Sequence, residues 1–531
     1  MDMPELVTEW LFSSSHTWYS GISILLVDLF KVGSLSAINT IAGAFTEDSP
    51  VLVICSAPNL EDCNHNHVMH HTTGTPYFNH SAECFESLVE KTFVVRHLDG
   101  ATRSIDESFR LCLSRRRPVY LEISCNLAAV EVPPPPPMQF SRSQGSDEVS
   151  LAAAVEETIV RIHESSSPVV LGGPGLRADR ATTAFMELVE KLGCAVALQP
   201  SAKGAVDESH PQFIGCFWGP ISSPVCEEIV ESADLVLACG ARFDDSSTVG
   251  WTVLKKAHQS ILVSSGSVDV CGAIFSDVNS SDFLTAVARL VPRKESSLHA
   301  YQRYQQPSFP PSPQDTDVAA PLARKHVLDA IQSLLSPGSC VVVETGDAWF
   351  IGNELKLPQN AAFHSQMQVK LLFFETNHKI LQYDSIGWSV GAALGAGFAC
   401  KENQHVILIV GDGAFQMTAQ ELSTMIRYGL NITIFLLNNK CYAIESILRD
   451  GPYNYLQSWN YADLVKVFGG SDRDGGHRVS TVGQLKNVMA KLTCHGGVQL
   501  VECNLAKDDC SPKMVAWATR VAIADMSVAF S

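Results

Sequence analysis

The sequence predicts an α/β protein made of three doubly wound parallel-sheet domains. Three observations point there. Short apolar runs such as "PVLVICSAP", "SPVVLGG" and "QHVILIVGDG" recur along the chain, as strands buried on both faces require. Amphipathic segments separate them, the alternation of a parallel sheet covered by helices. Two proline-rich stretches, "PPPPP" at 133–137 and "QQPSFPPSPQDTD" at 305–317, cannot join a packed core. They divide the chain into 1–132, 150–300 and 320–531.

Each part carries its own strands. "PVLVICSAP" and "PVYLEIS" belong to the first, and "SPVVLGG", "ADLVLACG" and "QSILVSSG" to the second. The third has "SCVVVETG", "QHVILIVGDG" and "ITIFLLNN". The middle part has "LGGPGLR" but no G-x-G-x-x-G, so no cofactor is assigned to it. "GWSVGAALG" is expected to set Gly387, Gly391 and Gly395 on one helix face for close packing in a soluble core.

Bulk properties exclude several partners. The formal net charge of −18 over 531 residues argues against nucleic acid, which needs a basic surface. Sixteen cysteines are scattered without any C-x-x-C pair, which suits a reducing compartment. "MDMPELVTEW" lacks the basic region of a signal peptide, and "ISILLVDLF" is too short for a bilayer and contains Asp28. A cytoplasmic protein with no membrane partner is expected.

The most informative stretch is "GDGAFQMTAQELSTMIRYGLNITIFLLNN", 411–439. A strand ends at Gly411, and Thr418 with Glu421 reads as a capping box that starts a helix near Ala419. Gly429 can close that helix, and the next strand ends at Asn438–Asn439. A right-handed βαβ crossover puts both strand ends on one sheet edge, where such sheets bind ligands. Asp412 and Asn439 then offer oxygens to a hard cation such as Mg²⁺, with a phosphate completing its shell. The pattern implies a metal-bridged diphosphate.

At this spacing "GDG…NN" resembles the thiamine-diphosphate motif. "NNKCYAIE", "DGPYNYLQSWNY", "HHTTG", "PSAKG", "ETGDAWF" and "SIGWSVGAALG" follow the pyruvate decarboxylase family, particularly its plant-type members, from about Val32 onward. The resemblance implies pyrimidine-binding, central and diphosphate-binding domains in that order. It implies Mg²⁺ on Asp412, Asn439 and the main-chain carbonyl of Cys441, where the family has Gly. Gly413 and Ala414 would meet the diphosphate, and Ala414 stands where the family has Ser. Thr345, Gly346, Asp347, Asp384, Ser385, Ile386, Tyr442 and Ile444 complete the implied cofactor shell, with Ile386 propping the cofactor in its bent form. His70, His71 and Glu445 would be catalytic, moving protons and facing the substrate carboxylate. The implied reaction is non-oxidative decarboxylation of a 2-oxo acid, pyruvate to acetaldehyde and CO₂, in a homodimer or homotetramer.

The sequence departs from the family in two places. The family's leading unit, with its G-D-F turn and N-E-L-N glutamate, finds no match in residues 1–31, so an incomplete first domain is expected. "VKLLFFETNHKILQ", 369–382, interrupts "QMQ…YDSIGW", and its end residues are compatible with a retained intron. Two other readings stay open: an aromatic 2-oxo acid decarboxylase or carboligase, and a catalytically impaired cofactor-binding subunit. "HNHVMHH" also leaves open a zinc cluster or a solvated loop.

Overall fold

The computed structural model describes residues 23–27, 31–132, 145–253, 257–304, 317–366, 370–371, 380–381, 383–400, 404–492 and 496–528. Both proline-rich stretches fall outside these residues, apart from position 317, as does Asp28.

The apolar runs become strands of three sheets. The first holds β1 (Ser23–Val27), β2 (Val51–Ala57), β3 (Thr92–Val95) and β4 (Val119–Ser124), parallel, in the order β1-β2-β4-β3. The second holds β5 (Pro168–Gly172), β6 (Ala195–Leu198), β7 (Phe213–Cys216), β8 (Leu235–Cys239), β9 (Ser260–Ser264), β10 (Gly266–Val270) and β11 (Ala273–Val278). Its order is β11-β10-β9-β8-β5-β6-β7. The third unit begins with β12 (Cys340–Val343) and β13 (Ala362–Ser365). Within the interrupting segment, β14 (Lys370–Leu371) and β15 (Ile380–Leu381) pair antiparallel, and the rest lies outside the described residues. The third sheet is completed by β16 (Val406–Gly411), β17 (Ile432–Asn438), β18 (Gly475–Val479) and β19 (Val498–Asn504), all parallel, in the order β13-β12-β16-β17-β19-β18.

The second sheet differs from the purely parallel expectation at one edge. There β10 runs antiparallel to both β9 and β11. The cause is local. Cys271 and Gly272 have φ of 54° and 100°, and Val270 pairs directly with Ala273, which makes a two-residue hairpin. β11 is largely exposed, unlike the interior strands that are buried on both faces.

β5, β8, β12 and β17 are buried along their whole length, since helices cover both faces. The helix Trp388–Ala399 buries Gly391 and Gly395 in the third core. Gly387 is not on its face as expected. It is the residue that precedes the helix, with φ of 91°, a conformation suited to glycine.

The units are tied by named contacts. Trp218 of the second unit packs on Trp349 and Phe350 of the third, with ring centroids 4.1 and 5.0 Å apart. The indoles of Trp218 and Trp517 both donate to the Ser246 carbonyl, at 2.9 and 3.1 Å. Arg242 pairs with Asp48 of the first unit at 2.6 Å. Asn39 Nδ2 donates to Ser385 Oγ at 2.9 Å, which joins the first unit to the third.

Candidate active site

In the third sheet β13 lies on one side of β12 and β16 on the other. The crevice at the carboxyl ends of β12 and β16 is therefore a topological switch point, where open α/β sheets bind ligands.

The chain leaves β16 through Gly411 directly into the helix Asp412–Thr418. Asp412 is 1% exposed and sits in the helix's first turn, where a carboxylate is favoured. Its Oδ1 accepts the N–H of Gly413 at 3.0 Å and its Oδ2 that of Lys440 at 2.9 Å. Burial pushes this carboxyl up to about 6, against those two N–H donors. Gly413 is required by a close approach: a Cβ there would lie 2.4 Å from the Tyr442 ring.

The Asn pair splits its work. Asn438 ends β17 facing inward, and its Nδ2 donates to Glu502 Oε1 at 3.0 Å and to Asn504 Oδ1 at 3.1 Å. Asn439 turns the other way, and its Oδ1 accepts the Cys441 N–H at 3.2 Å. Lys440 between them takes the left-handed φ of 64°. Cys441 does not, so a residue with a Cβ fits where glycine was expected. Cys441 bridges to Tyr455, and Tyr442 N–H donates to Asn454 O at 2.9 Å, so the "DGPYN" loop underpins the turn. Ile444 packs against the third unit's core.

The expected capping box does not form. Thr418 ends the first helix, and its hydroxyl donates to the Gly387 carbonyl at 2.6 Å. The second helix, Glu421–Arg427, is preceded by Gln420 without a side-chain cap. A tertiary partner has taken the hydroxyl that local sequence assigned to a cap. Gly429 does close the segment, with φ of 59°.

Across the crevice, β12 leads into Glu344, Thr345 and Gly346, then the helix Asp347–Glu354. Gly346 has φ of 96°, a position that favours glycine. Thr345 Oγ1 is buried without a hydrogen-bond partner. The Asp347 carboxylate is held by Arg324 Nε at 3.0 Å from both oxygens, and accepts the Ser511 N–H at 3.2 Å. Glu344, which the sequence reading passed over, is fully buried. It accepts from Ser389 Oγ at 2.7 Å, Gly387 N at 3.0 Å and Ser389 N at 3.3 Å. The only sequence signal for it was an acid directly before a Thr-Gly strand end.

The loop ahead of the Trp388–Ala399 helix carries three of the implied cofactor residues. Asp384 Oδ1 is buried without a partner. Burial, then the charges of Asp244, Asp245 and Glu344, push its carboxyl up to about 7. Ser385 N–H donates to Gln366 Oε1 at 2.9 Å. Ile386 is 39% exposed at the rim.

Of the catalytic expectations, the two histidines stand on another unit of the single chain, whereas Glu445 follows the Cys441–Tyr442 turn directly. His70 and His71 lie on an exposed loop of the first unit, their rings 4.7 Å apart, and His71 has φ of 57°. Nearby, His67 Nδ1 pairs with Asp62 Oδ1 at 2.9 Å, and His65 Nδ1 contacts Glu61 O at 2.8 Å. Among the described residues no group of three or more His, Cys, Asp and Glu is arranged to hold a metal ion. Glu445 is exposed in the first turn of the helix Ala443–Leu448. No helix among the described residues is long and apolar enough to cross a membrane.

Comparison with known proteins agrees with this geometry. Residues 155–280 match the central domain of thiamine pyrophosphate enzymes, and 363–503 match their C-terminal TPP binding domain. Pyruvate decarboxylase 4 of Arabidopsis thaliana is 39% identical over 504 residues, covering 93% of this chain and 81% of that protein. Pyruvate decarboxylase 1 of Pisum sativum is 39% identical over 504 residues, with 93% and 82% covered. Pyruvate decarboxylase 1 of Zea mays is 37% identical over 507 residues, with 93% and 80% covered. An acid at the end of one strand, an amide at the end of the next and this likeness along the chain carry one conclusion: the protein belongs to the pyruvate decarboxylase family of thiamine-diphosphate-dependent 2-oxo acid decarboxylases.

Proposed function

We propose that this chain converts pyruvate to acetaldehyde and CO₂, with thiamine diphosphate held through Mg²⁺ at the carboxyl ends of β16 and β17. The observation that carries this is the pairing of Asp412 and Lys440 across those strand ends. It supports a ligand set of the Asp412 carboxylate, the Asn439 amide and the Cys441 carbonyl, since Asn439 and Cys441 flank Lys440. The fit is supported by chemistry and by space. Three oxygen donors suit a hard divalent cation, which takes its remaining ligands from water and phosphate. Thr345 Oγ1 and Asp384 Oδ1 are buried and unpartnered at the same crevice, so polar atoms await a polar ligand.

In this reading Gly413 and Ala414 face the diphosphate, and Ala414 gives up one hydroxyl contact worth about 0.5–1.5 kcal/mol. Thr345, Gly346, Asp384, Ser385 and Ile386 line the organic end, while Tyr442 and Ile444 fix the turn. Thiamine diphosphate, when bound, supplies the carbon nucleophile and electron sink that the loss of CO₂ requires. The protein's own work is to orient and to move protons. The imidazole nitrogens of His70 and His71 would relay protons. The Glu445 carboxyl would face the substrate carboxylate and return a proton to the product.

The exposure of both histidines and of Glu445 in a single chain supports a homodimer or homotetramer, in which a second copy closes the site. The boundaries 1–132, 150–300 and 320–531 and a cytoplasmic location belong to the same proposal. The test is steady-state release of acetaldehyde from pyruvate by purified protein with added thiamine diphosphate and Mg²⁺. Faster turnover of phenylpyruvate would move the assignment to an aromatic 2-oxo acid. Cofactor binding without turnover would favour the impaired-subunit reading.

A further inference from the structure

We propose that Glu344 is a positioning residue for the cofactor, a buried latch that sets the turn carrying Asp384, Ser385 and Ile386. The inference rests on the functional reading above and extends it to a residue outside the implied cofactor shell.

Glu344 continues β12: its N–H donates to the Ile409 carbonyl of β16 at 2.9 Å. Its backbone is thus fixed by the sheet. Its side chain is fully buried, accepts four hydrogen bonds and lies within electrostatic reach of the Asp384 carboxyl. Oε2 accepts from Ser389 Oγ (2.7 Å), Gly387 N (3.0 Å) and Ser389 N (3.3 Å), and Oε1 accepts from Thr345 N (3.0 Å). Gly387 is gripped on its other side as well, because its carbonyl accepts the Thr418 hydroxyl at 2.6 Å. Thr418 ends the helix that begins at Asp412. A Cβ on Gly387 would lie 2.7 Å from Met417 Cβ, so the turn is wedged against that helix. One carboxylate therefore connects the strand end at Thr345, the turn at 384–387 and, through Gly387, the helix bearing the diphosphate residues. A plain helix cap for Trp388–Ala399 would need Gly387 and Ser389 alone. The additional ties to Thr345 and, through the Gly387 carbonyl, to Thr418 make the arrangement a coupling between both walls of the crevice.

The test compares Glu344→Ala, Glu344→Gln and Ser389→Ala with the unaltered chain, at temperatures where circular dichroism shows each folded. Calorimetric titration with thiamine diphosphate in excess Mg²⁺ should show affinity weakened ~10–100-fold in Glu344→Ala, the scale of lost bonds to a charged group. Ser389→Ala, which removes one hydroxyl, should lose roughly 2–10-fold. Glu344→Gln keeps one acceptor oxygen and should fall between Glu344→Ala and the unaltered chain. Without cofactor, amide exchange of segment 384–389 should accelerate in Glu344→Ala while β17 stays protected. At saturating cofactor, kcat should fall with pyruvate KM nearly unchanged. Unaltered cofactor affinity in a folded Glu344→Ala, or unaltered exchange at 384–389, would overturn the proposal. If the unaltered chain takes up no cofactor, the functional reading falls, and the exchange arm still decides whether Glu344 fixes the turn.

Discussion

The Asp412 carboxylate accepts the Lys440 backbone N–H at 2.9 Å, which closes the end of β16 onto the turn after β17. This one bond brings the acid and Asn439 into the same small volume. Asp412 is also 1% exposed, so its charge is costly without a partner cation. Asp412→Ala should lower affinity for Mg²⁺ and thiamine diphosphate by at least ~100-fold while the sheet stays intact. Titration calorimetry checks the first and circular dichroism the second.

The pH dependence of stability should carry the mark of Glu344. Burial raises its carboxyl from the ordinary 4.5 to about 7, despite four donors that favour the charged form. The folded state therefore binds the proton more tightly than the unfolded state. The stabilisation this supplies is full below pH 4.5 and is lost as pH rises through about 7. Across that window the unaltered chain should lose on the order of 3 kcal/mol relative to Glu344→Gln, which cannot ionise. Denaturant unfolding of both proteins at pH 5 and pH 8 measures it.

Gly413→Ala should damage the site through Tyr442. The added Cβ would lie 2.4 Å from the ring and 2.9 Å from Leu456 Cδ1. Overpacking of this kind costs about 1–3 kcal/mol. The double variant with Tyr442→Ala should recover part of that loss, because the ring is then gone. A double-mutant cycle by thermal unfolding gives the coupling, and additive losses would show that the ring is not the obstacle.

The parts of this architecture that the sequence announced are those whose signal is local and uninterrupted. "HVILIV" and "ITIFLLNN" read as interior strands because burial on both faces leaves no polar alternation. The acid and the amide were found because they follow those runs directly. What stayed hidden depends on partners far along the chain. Thr418 looked like a cap, but Gly387 claims its hydroxyl across a separation of 31 residues. Asn438 and Asn439 are equivalent in sequence; strand alternation alone sends the first to Glu502 and the second to the turn. Glu344 had only a weak signal, an acid before a Thr-Gly strand end, and a lone acid before a turn is usually solvated. The β10–β11 hairpin escaped because its strands lie at the sheet edge, partly exposed, and polar residues break their apolar runs.

Asp347 offers a sharp separation of fold from function. Its place after Thr345 and Gly346 implies a cofactor contact, yet Arg324 Nε lies 3.0 Å from each of its carboxylate oxygens. Arg324 also bonds Glu354 at 3.1 Å through both terminal nitrogens, and it is 7% exposed. A guanidinium shared between two carboxylates in a nearly closed site leaves Asp347 little freedom to turn toward a ligand. Removing Asp347 leaves Arg324 paired with Glu354 but deprives Arg324 Nε and the Ser511 N–H of their acceptor, a loss of about 1.5–3 kcal/mol for bonds to a charged group. Asp347→Ala should therefore lower the unfolding free energy by roughly that amount. Its affinity for thiamine diphosphate, measured below the shifted Tm, should stay within about 2-fold of the unaltered chain if the side chain acts through Arg324. A loss of ~10-fold or more in affinity with unaltered stability would instead put this carboxylate on the cofactor.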